Sequence, residues 1–71
     1  MNGGLAKRSL RLAGHLTSLA LEPEFWAVLE AEAGRRGLRL TALLEEIDAG
    51  RGERGLASAC RVAALVCRPP E

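Results

Sequence analysis

The stretch from residue 16 to residue 49 most constrains the fold, because it reads as one short strand followed directly by two helices. A lone strand leaves its backbone N–H and C=O groups without partners, and unpaired groups cost free energy. A second copy of the same chain is the simplest source of a partner strand. The sequence therefore predicts a homodimer that carries a two-stranded ribbon on one surface.

The predicted strand, residues 15–21, has two different sides. Thr17, Leu19 and Leu21 alternate with Leu16, Ser18 and Ala20, and alternate residues of a strand point to opposite faces. We expect Leu19 and Leu21 to cover the helices, which leaves Leu16, Ser18 and Ala20 on the outward face. A two-stranded ribbon fits the DNA major groove, so these three residues are the predicted base-facing positions.

Three helices are predicted after the strand. The first runs from about Pro23 to Arg36 and ends at Gly37, the second from about Leu40 to Ala49, and the third from about Leu56 to Cys67. Their apolar residues recur at the i, i+3, i+4 spacing of a helix face that packs on a core. The side chains predicted to form the dimer core are Leu19, Leu21, Phe25, Leu29, Leu40, Leu43, Leu44 and Ile47.

Length and composition limit the possible architectures. A chain of 71 residues forms one domain at most, and chains this short commonly depend on oligomerisation, disulfides or metal. We expect a disordered arm over residues 1–7, a domain over residues 8–67 and a tail over residues 68–71. The chain has no apolar run of roughly 18 residues and no long apolar leader, so a membrane is not an expected partner and a cytoplasmic location is expected.

Charge is unevenly distributed despite a net charge of +1. The first 21 residues contain Lys7, Arg8 and Arg11 and no acidic residue. Residues 8–14 alternate like an extended strand, with Gly14 as a possible bend. Such a basic arm beside a ribbon is suited to lie along DNA phosphates. The alternative interpretation is a solvated arm whose charge only keeps the chain soluble.

Several segments together resemble the bacterial ribbon-helix-helix family. They are the run Thr17-Ser-Leu-Ala-Leu-Glu-Pro-Glu-Phe-Trp26, the turn Arg36-Gly-Leu38, the triplet Glu46-Ile-Asp48 and the run Leu56-Ala-Ser-Ala-Cys-Arg-Val62. The resemblance implies a mainly α fold with one N-terminal β-strand, an intertwined homodimer and a short third helix. It also implies a repressor or antitoxin that reads DNA with the ribbon.

The chain departs from the family pattern at the positions that would contact DNA. Of Leu16, Ser18 and Ala20, only Ser18 can form a hydrogen bond through its side chain, and apolar contacts discriminate poorly between bases. The family's second helix usually starts with a Ser or Thr cap that holds a phosphate. Here Arg39 stands at that position, with Thr41 just inside the helix, and both are predicted phosphate contacts.

Other kinds of chemistry have little support. Cys60 and Cys67 would lie about 10.5 Å apart on one helix, too far for a disulfide, and with the single residue His15 they match no metal motif. We therefore expect no cofactor, no metal and no enzymatic activity. Two functions remain open: a dimeric DNA-binding regulator, and a dimeric module that binds another protein through the third helix and the Trp26 flank.

Overall fold

The computed structural model describes residues 4–67, and these begin with a β-hairpin rather than a lone strand. Strand β1 (Ala6–Leu12) pairs antiparallel with strand β2 (His15–Leu21) of the same chain. The expectation of one strand was wrong, because residues 13 and 14 form a two-residue turn. Ala13 and Gly14 have φ angles of 52° and 84°, and positive φ at both positions characterises the hairpin turns that match strand twist.

The hairpin also changes two expectations about the N-terminal region. Ala6 and Lys7, assigned to the disordered arm, lie in β1, because Ala6 pairs with Leu21 and Lys7 with Ala20. The backbone of β2 receives a partner from its own chain, so a missing strand partner no longer requires a second copy. Residues 1–3 of the predicted arm and the predicted tail, residues 68–71, lie outside the described residues.

The first helix, α1 (Pro23–Arg35), begins and ends with recognisable caps. Pro23 occupies the first turn, where a missing N–H costs nothing. At the other end Gly37 adopts φ 70°, the left-handed conformation that glycine tolerates best. The Leu38 N–H then donates to the Ala33 carbonyl at 2.8 Å and the Gly37 N–H to the Gly34 carbonyl at 3.1 Å. This Schellman pattern turns the chain sharply into the next helix.

Helices α2 (Leu40–Ala49) and α3 (Leu56–Cys67) have the predicted bounds. Helix α2 packs against β1, and α3 packs against β2, α1 and α2. The connection between α2 and α3 begins at Gly50, whose N–H donates to the carbonyls of Glu46 and Ile47 at 3.2 Å each. The three helices therefore lie together on one side of the hairpin.

The core forms between the inner face of the hairpin and the three helices. Its buried members come from every strand and helix: Leu12, Leu19, Leu21, Trp26, Leu29, Ala33, Leu43, Leu44, Cys60 and Ala64. Glu32 is also buried, and its carboxylate accepts hydrogen bonds from Arg35 at 2.7 to 3.0 Å. The described residues therefore leave the opposite face of the hairpin unpacked. No helix among the described residues has the length and apolar character needed to cross a membrane.

Candidate nucleic-acid interface

The outward face of the hairpin brings six side chains together, and we call it the ribbon face. Its members, in register, are Lys7 opposite Ala20, Ser9 opposite Ser18, and Arg11 opposite Leu16. All are exposed except Ala20, which is half-buried. Because residues of one parity share a face, β1 adds two cations and a hydroxyl to the three β2 positions predicted from the sequence.

The ribbon face combines the groups needed to approach a polyanion. It carries two positive charges and no acidic side chain, with paired serine hydroxyls at its middle. Cations contact phosphates, and hydroxyls donate to or accept from base edges. Ser9 was not among the predicted sites, because pairing of residues 8–12 with the strand that follows was not predicted. The alternation of Ser9 and Arg11 with Leu10 and Leu12 was the available signal.

Arg8, a predicted phosphate contact, lies on the opposite side of β1 from Lys7 and Arg11. Its guanidinium carbon lies 4.3 Å from the centroid of the Trp26 ring, and its Nη1 donates to Glu30 at 2.6 Å. Residue 8 has the same parity as the inward-facing Leu10 and Leu12, so the strand directs it towards α1. Arg8 thus holds the hairpin to α1 through a cation–π contact and an ion pair.

Trp26 is a core residue and not an exposed flank. Its side chain is 2% exposed, and its Nε1–H donates to the Ala6 carbonyl at 2.7 Å. This hydrogen bond gives the buried indole N–H a partner on β1. Trp26 therefore offers no docking surface for another protein.

The two candidates at the start of α2 are separate from the ribbon face. Arg39 is the exposed N-cap residue and makes no side-chain cap hydrogen bond, and Thr41 is half-buried in the first turn. Closer to the hairpin turn, Glu45 accepts a hydrogen bond from the Ala13 N–H at 2.8 Å. This bond fixes the tip of the hairpin against α2.

The residues predicted as a dimer core lie in the core of a single chain. Leu19, Leu21, Leu29, Leu43 and Leu44 are buried there. The partly buried members that pack against them are Phe25, Leu40 and Ile47. All eight side chains therefore belong to one hydrophobic cluster within the chain.

The remaining candidate groups do not form a site. His15 is exposed at the start of β2, and no cluster of metal-ligating side chains occurs within residues 4–67. Cys60 is fully buried, and burial raises the pKa of its thiol to about 11. Burial also raises the pKa of Cys67. Thiols held in the protonated form are poor nucleophiles and poor metal ligands.

Comparisons with known proteins identify the family. A family model described as a ribbon-helix-helix domain matches residues 5–67, and domains of this kind usually dimerise, bind DNA and lack catalytic activity. A solved structure of an uncharacterized protein from Bordetella pertussis Tohama I is similar, with 43% identity and a TM-score of 0.76. The similarity covers 89% of this chain and 54% of that protein, so this chain spans about half its length. No curated protein matches the chain. Because the family match covers most of the sequence, the chain belongs to the ribbon-helix-helix domain family.

Proposed function

We propose that this protein is a DNA-binding transcription regulator of the repressor or antitoxin type, and that the ribbon face enters the major groove. The observation that carries the proposal is the set of side chains on that face. Lys7 and Arg11 supply charge, Ser9 and Ser18 supply hydrogen bonds, and no acid opposes them. DNA affinity depends largely on cations near phosphates, and a two-stranded ribbon fits the groove in width.

The proposed DNA-binding unit is a homodimer joined through β2. In a hairpin with a two-residue turn, the pair next to the turn, here Leu12 and His15, exchanges backbone hydrogen bonds. Hydrogen-bonded and non-hydrogen-bonded pairs then alternate along the two strands. The backbone groups of Leu16, Ser18 and Ala20 therefore point to the outer edge of β2. No further backbone hydrogen bond reaches these three residues within the described part of the chain.

The free edge of β2 is suited to pair with the same edge of a second copy. It lacks the prolines and charged side chains that protect edge strands from pairing. A two-fold axis at Ser18 would place Ser18 opposite Ser18 and Leu16 opposite Ala20 in an antiparallel ladder. The large Leu16 side chain, 70% exposed in one chain, would then lie beside the small Ala20 of the other. The two β2 strands would then form the central ribbon of the dimer that the resemblance implied.

In the resulting four-stranded sheet the two β2 strands are central and would enter the groove. Three strand spacings of about 4.8 Å make the sheet about 14 Å wide between its outer strands, wider than a major groove of about 12 Å, so the β1 strands would stay at its rim. The two β2 strands would face the bases, and the β1 strands would lie near the bordering phosphates. Lys7 and Arg11 thus serve as phosphate contacts, while Arg8 holds the hairpin to α1. Specificity would come from Ser18, Ser9 and DNA shape.

The first test removes one cation from the ribbon face. Arg11 makes no ion pair among the described residues, and its guanidinium makes only a long, exposed hydrogen bond to the Gly14 carbonyl at 3.4 Å. Arg11→Ala should therefore leave the core packing intact. Each lost phosphate contact flattens the slope of log affinity against log salt by about 0.9. A dimer should therefore lose about 1.8 units of slope, measured by fluorescence anisotropy with duplex DNA from upstream of its own coding region.

Arg54→Ala is the matched control. Arg54 is exposed in the connection between α2 and α3 and is not part of the ribbon face, so its loss should leave the salt slope unchanged. Equal effects of the two variants would show that binding is non-specific attraction to net charge. Absence of binding at low salt to both upstream and random duplex would overturn the proposal.

The second test places proline on one edge of the hairpin at a time. Ser18→Pro removes an N–H that points away from β1, so the hairpin survives while the ladder between copies loses both bonds of the Ser18 pair. Ser9→Pro is the matched control on the outer edge of β1, since Ser9 and Ser18 pair directly. Sedimentation velocity should show dissociation for Ser18→Pro only. A wild-type monomer at micromolar concentration would rule out the β2 dimer.

A further inference from the structure

A groove between α2 and α3 has an apolar floor. Its volume is about 360 Å³, and the side chains of its floor carry no polar atom: Ile47, Ala59, Val62 and Ala63, with Gly50 beside them. Ala59 is buried, Ile47 and Ala63 are half-buried, and Val62 is exposed at one side. The volume lies at the small end of the range of ligand sites, so the floor can accept a short apolar group.

Three charged side chains border the groove: Glu46, Arg51 and Arg54. The Glu46 carboxylate accepts a hydrogen bond from Arg36 at 3.0 Å, and Arg51 Nε donates to Asp48 at 2.6 Å. Arg54 makes no ion pair among the described residues. The border therefore presents one positive charge that nothing in the described part of the chain neutralises.

The backbone fixes the position of Arg54 at this border. Its N–H donates to the Arg51 carbonyl at 3.1 Å, and its own carbonyl accepts from Arg51 Nη1 at 2.7 Å. Arg51 is in turn tied to α2 through its ion pair with Asp48. The exposed guanidinium of Arg54 thus has a fixed attachment point beside the groove.

We propose that the groove binds a small amphipathic monoanion, a carboxylate on a short apolar body. The apolar body lies on the floor, where the side chains offer no hydrogen bond and a polar group would lose its solvation. The carboxylate pairs with Arg54, because the planar fork of a guanidinium matches two carboxylate oxygens. One uncommitted positive charge balances one negative charge, whereas a phosphate dianion would bring excess charge close to Glu46.

The groove is separate from the ribbon face. Its lining residues belong to α2, α3 and the connection between them, and none belongs to the hairpin. Ligand binding in the groove therefore does not depend on the proposed DNA binding, and the two can fail independently.

The test is an NMR titration of the labelled full chain with benzoate at constant ionic strength. Benzoate joins an apolar ring to one carboxylate, and a ligand this small binds with an affinity of millimolar order. We expect saturable amide shifts at Ile47, Gly50, Arg54, Val62 and Ala63. Benzyl alcohol lacks the charge and acetate lacks the ring, so each should bind about two- to fivefold more weakly than benzoate.

Two variants test the parts of the site separately. Arg54→Gln removes the anchor at an exposed position and should weaken benzoate binding about two- to fivefold, as for an exposed ion pair. Arg39→Gln is the matched control, since it makes the same change at the exposed N-cap of α2 and should keep the wild-type affinity. Ala63→Leu places a larger side chain in the groove and should weaken both benzoate and benzyl alcohol.

Four results would overturn the proposed site. Absence of saturable shifts with benzoate would remove it, and equal losses for Arg54→Gln and Arg39→Gln would show attraction to net charge only. Benzyl alcohol that binds as tightly as benzoate would contradict the anionic anchor. Tighter binding of phenyl phosphate than of benzoate would assign the groove to phosphate esters and contradict the proposed ligand class.

Discussion

At the scale of single residues, Ala13 has the most strained backbone conformation among the described non-glycine residues. Its φ of 52° lies in the left-handed region, which costs an L-residue with a Cβ roughly 1–2 kcal/mol. Asparagine tolerates this conformation, and Asn-Gly is a preferred hairpin turn. We expect Ala13→Asn to stabilise the protein by about 1 kcal/mol, measured by urea denaturation. Its backbone N–H can still donate to Glu45.

Gly14→Ala, at the neighbouring position, should have the opposite effect on stability. Gly14 has φ 84°, and a Cβ there should destabilise the hairpin by about 1–2 kcal/mol. If Ala13→Asn destabilised the protein, or if Gly14→Ala had no effect, residues 13 and 14 would not form the turn described above.

The two arginines of β1 show how much the sequence could predict at this scale. Strand parity alone places Arg11 outward and Arg8 inward with Leu10 and Leu12. The cation–π contact of Arg8 with Trp26 could not be predicted, because it depends on how the hairpin sits on α1. Pairing with Glu30, 22 positions away in sequence, likewise depends on tertiary structure.

At the scale of secondary-structure elements, the helices were predictable because their signals are local. Pro23 and Gly37 mark the ends of α1, and the spacing of Leu40, Leu43, Leu44 and Ile47 identifies α2. The hairpin was missed because Ala-Gly is a weak turn signal compared with Asn-Gly. Which strand pairs with which is a long-range property that local periodicity does not determine.

The position of α2 in the core leads to a prediction at the same scale. Leu43 is 3% exposed, so Leu43→Ala should destabilise the protein by roughly 2–5 kcal/mol through lost burial and a cavity. The exposed Leu5 provides a control with the same chemical change, and Leu5→Ala should stay within about 0.5 kcal/mol of wild type. Equal melting temperatures for the two variants would show that α2 does not pack in the core.

At the scale of the whole molecule, each chain builds its own hairpin and its own core. Two surfaces remain that the described residues leave uncovered: the ribbon face with the free edge of β2, and the outward side of α3 with Val62, Leu65 and Val66. Their different chemistry, basic and polar on one side and apolar on the other, suits DNA on the first and protein on the second.

An NMR titration tests the central claim most directly, because it locates DNA on the surface. Amide shifts of the labelled protein would be followed while duplex DNA from upstream of its own coding region is added at low salt. Contact through the ribbon face predicts the largest shifts at Lys7, Ser9, Arg11, Leu16 and Ser18, with α3 nearly unchanged. Shifts concentrated on α2 or α3, or none at all, would contradict DNA recognition by the hairpin.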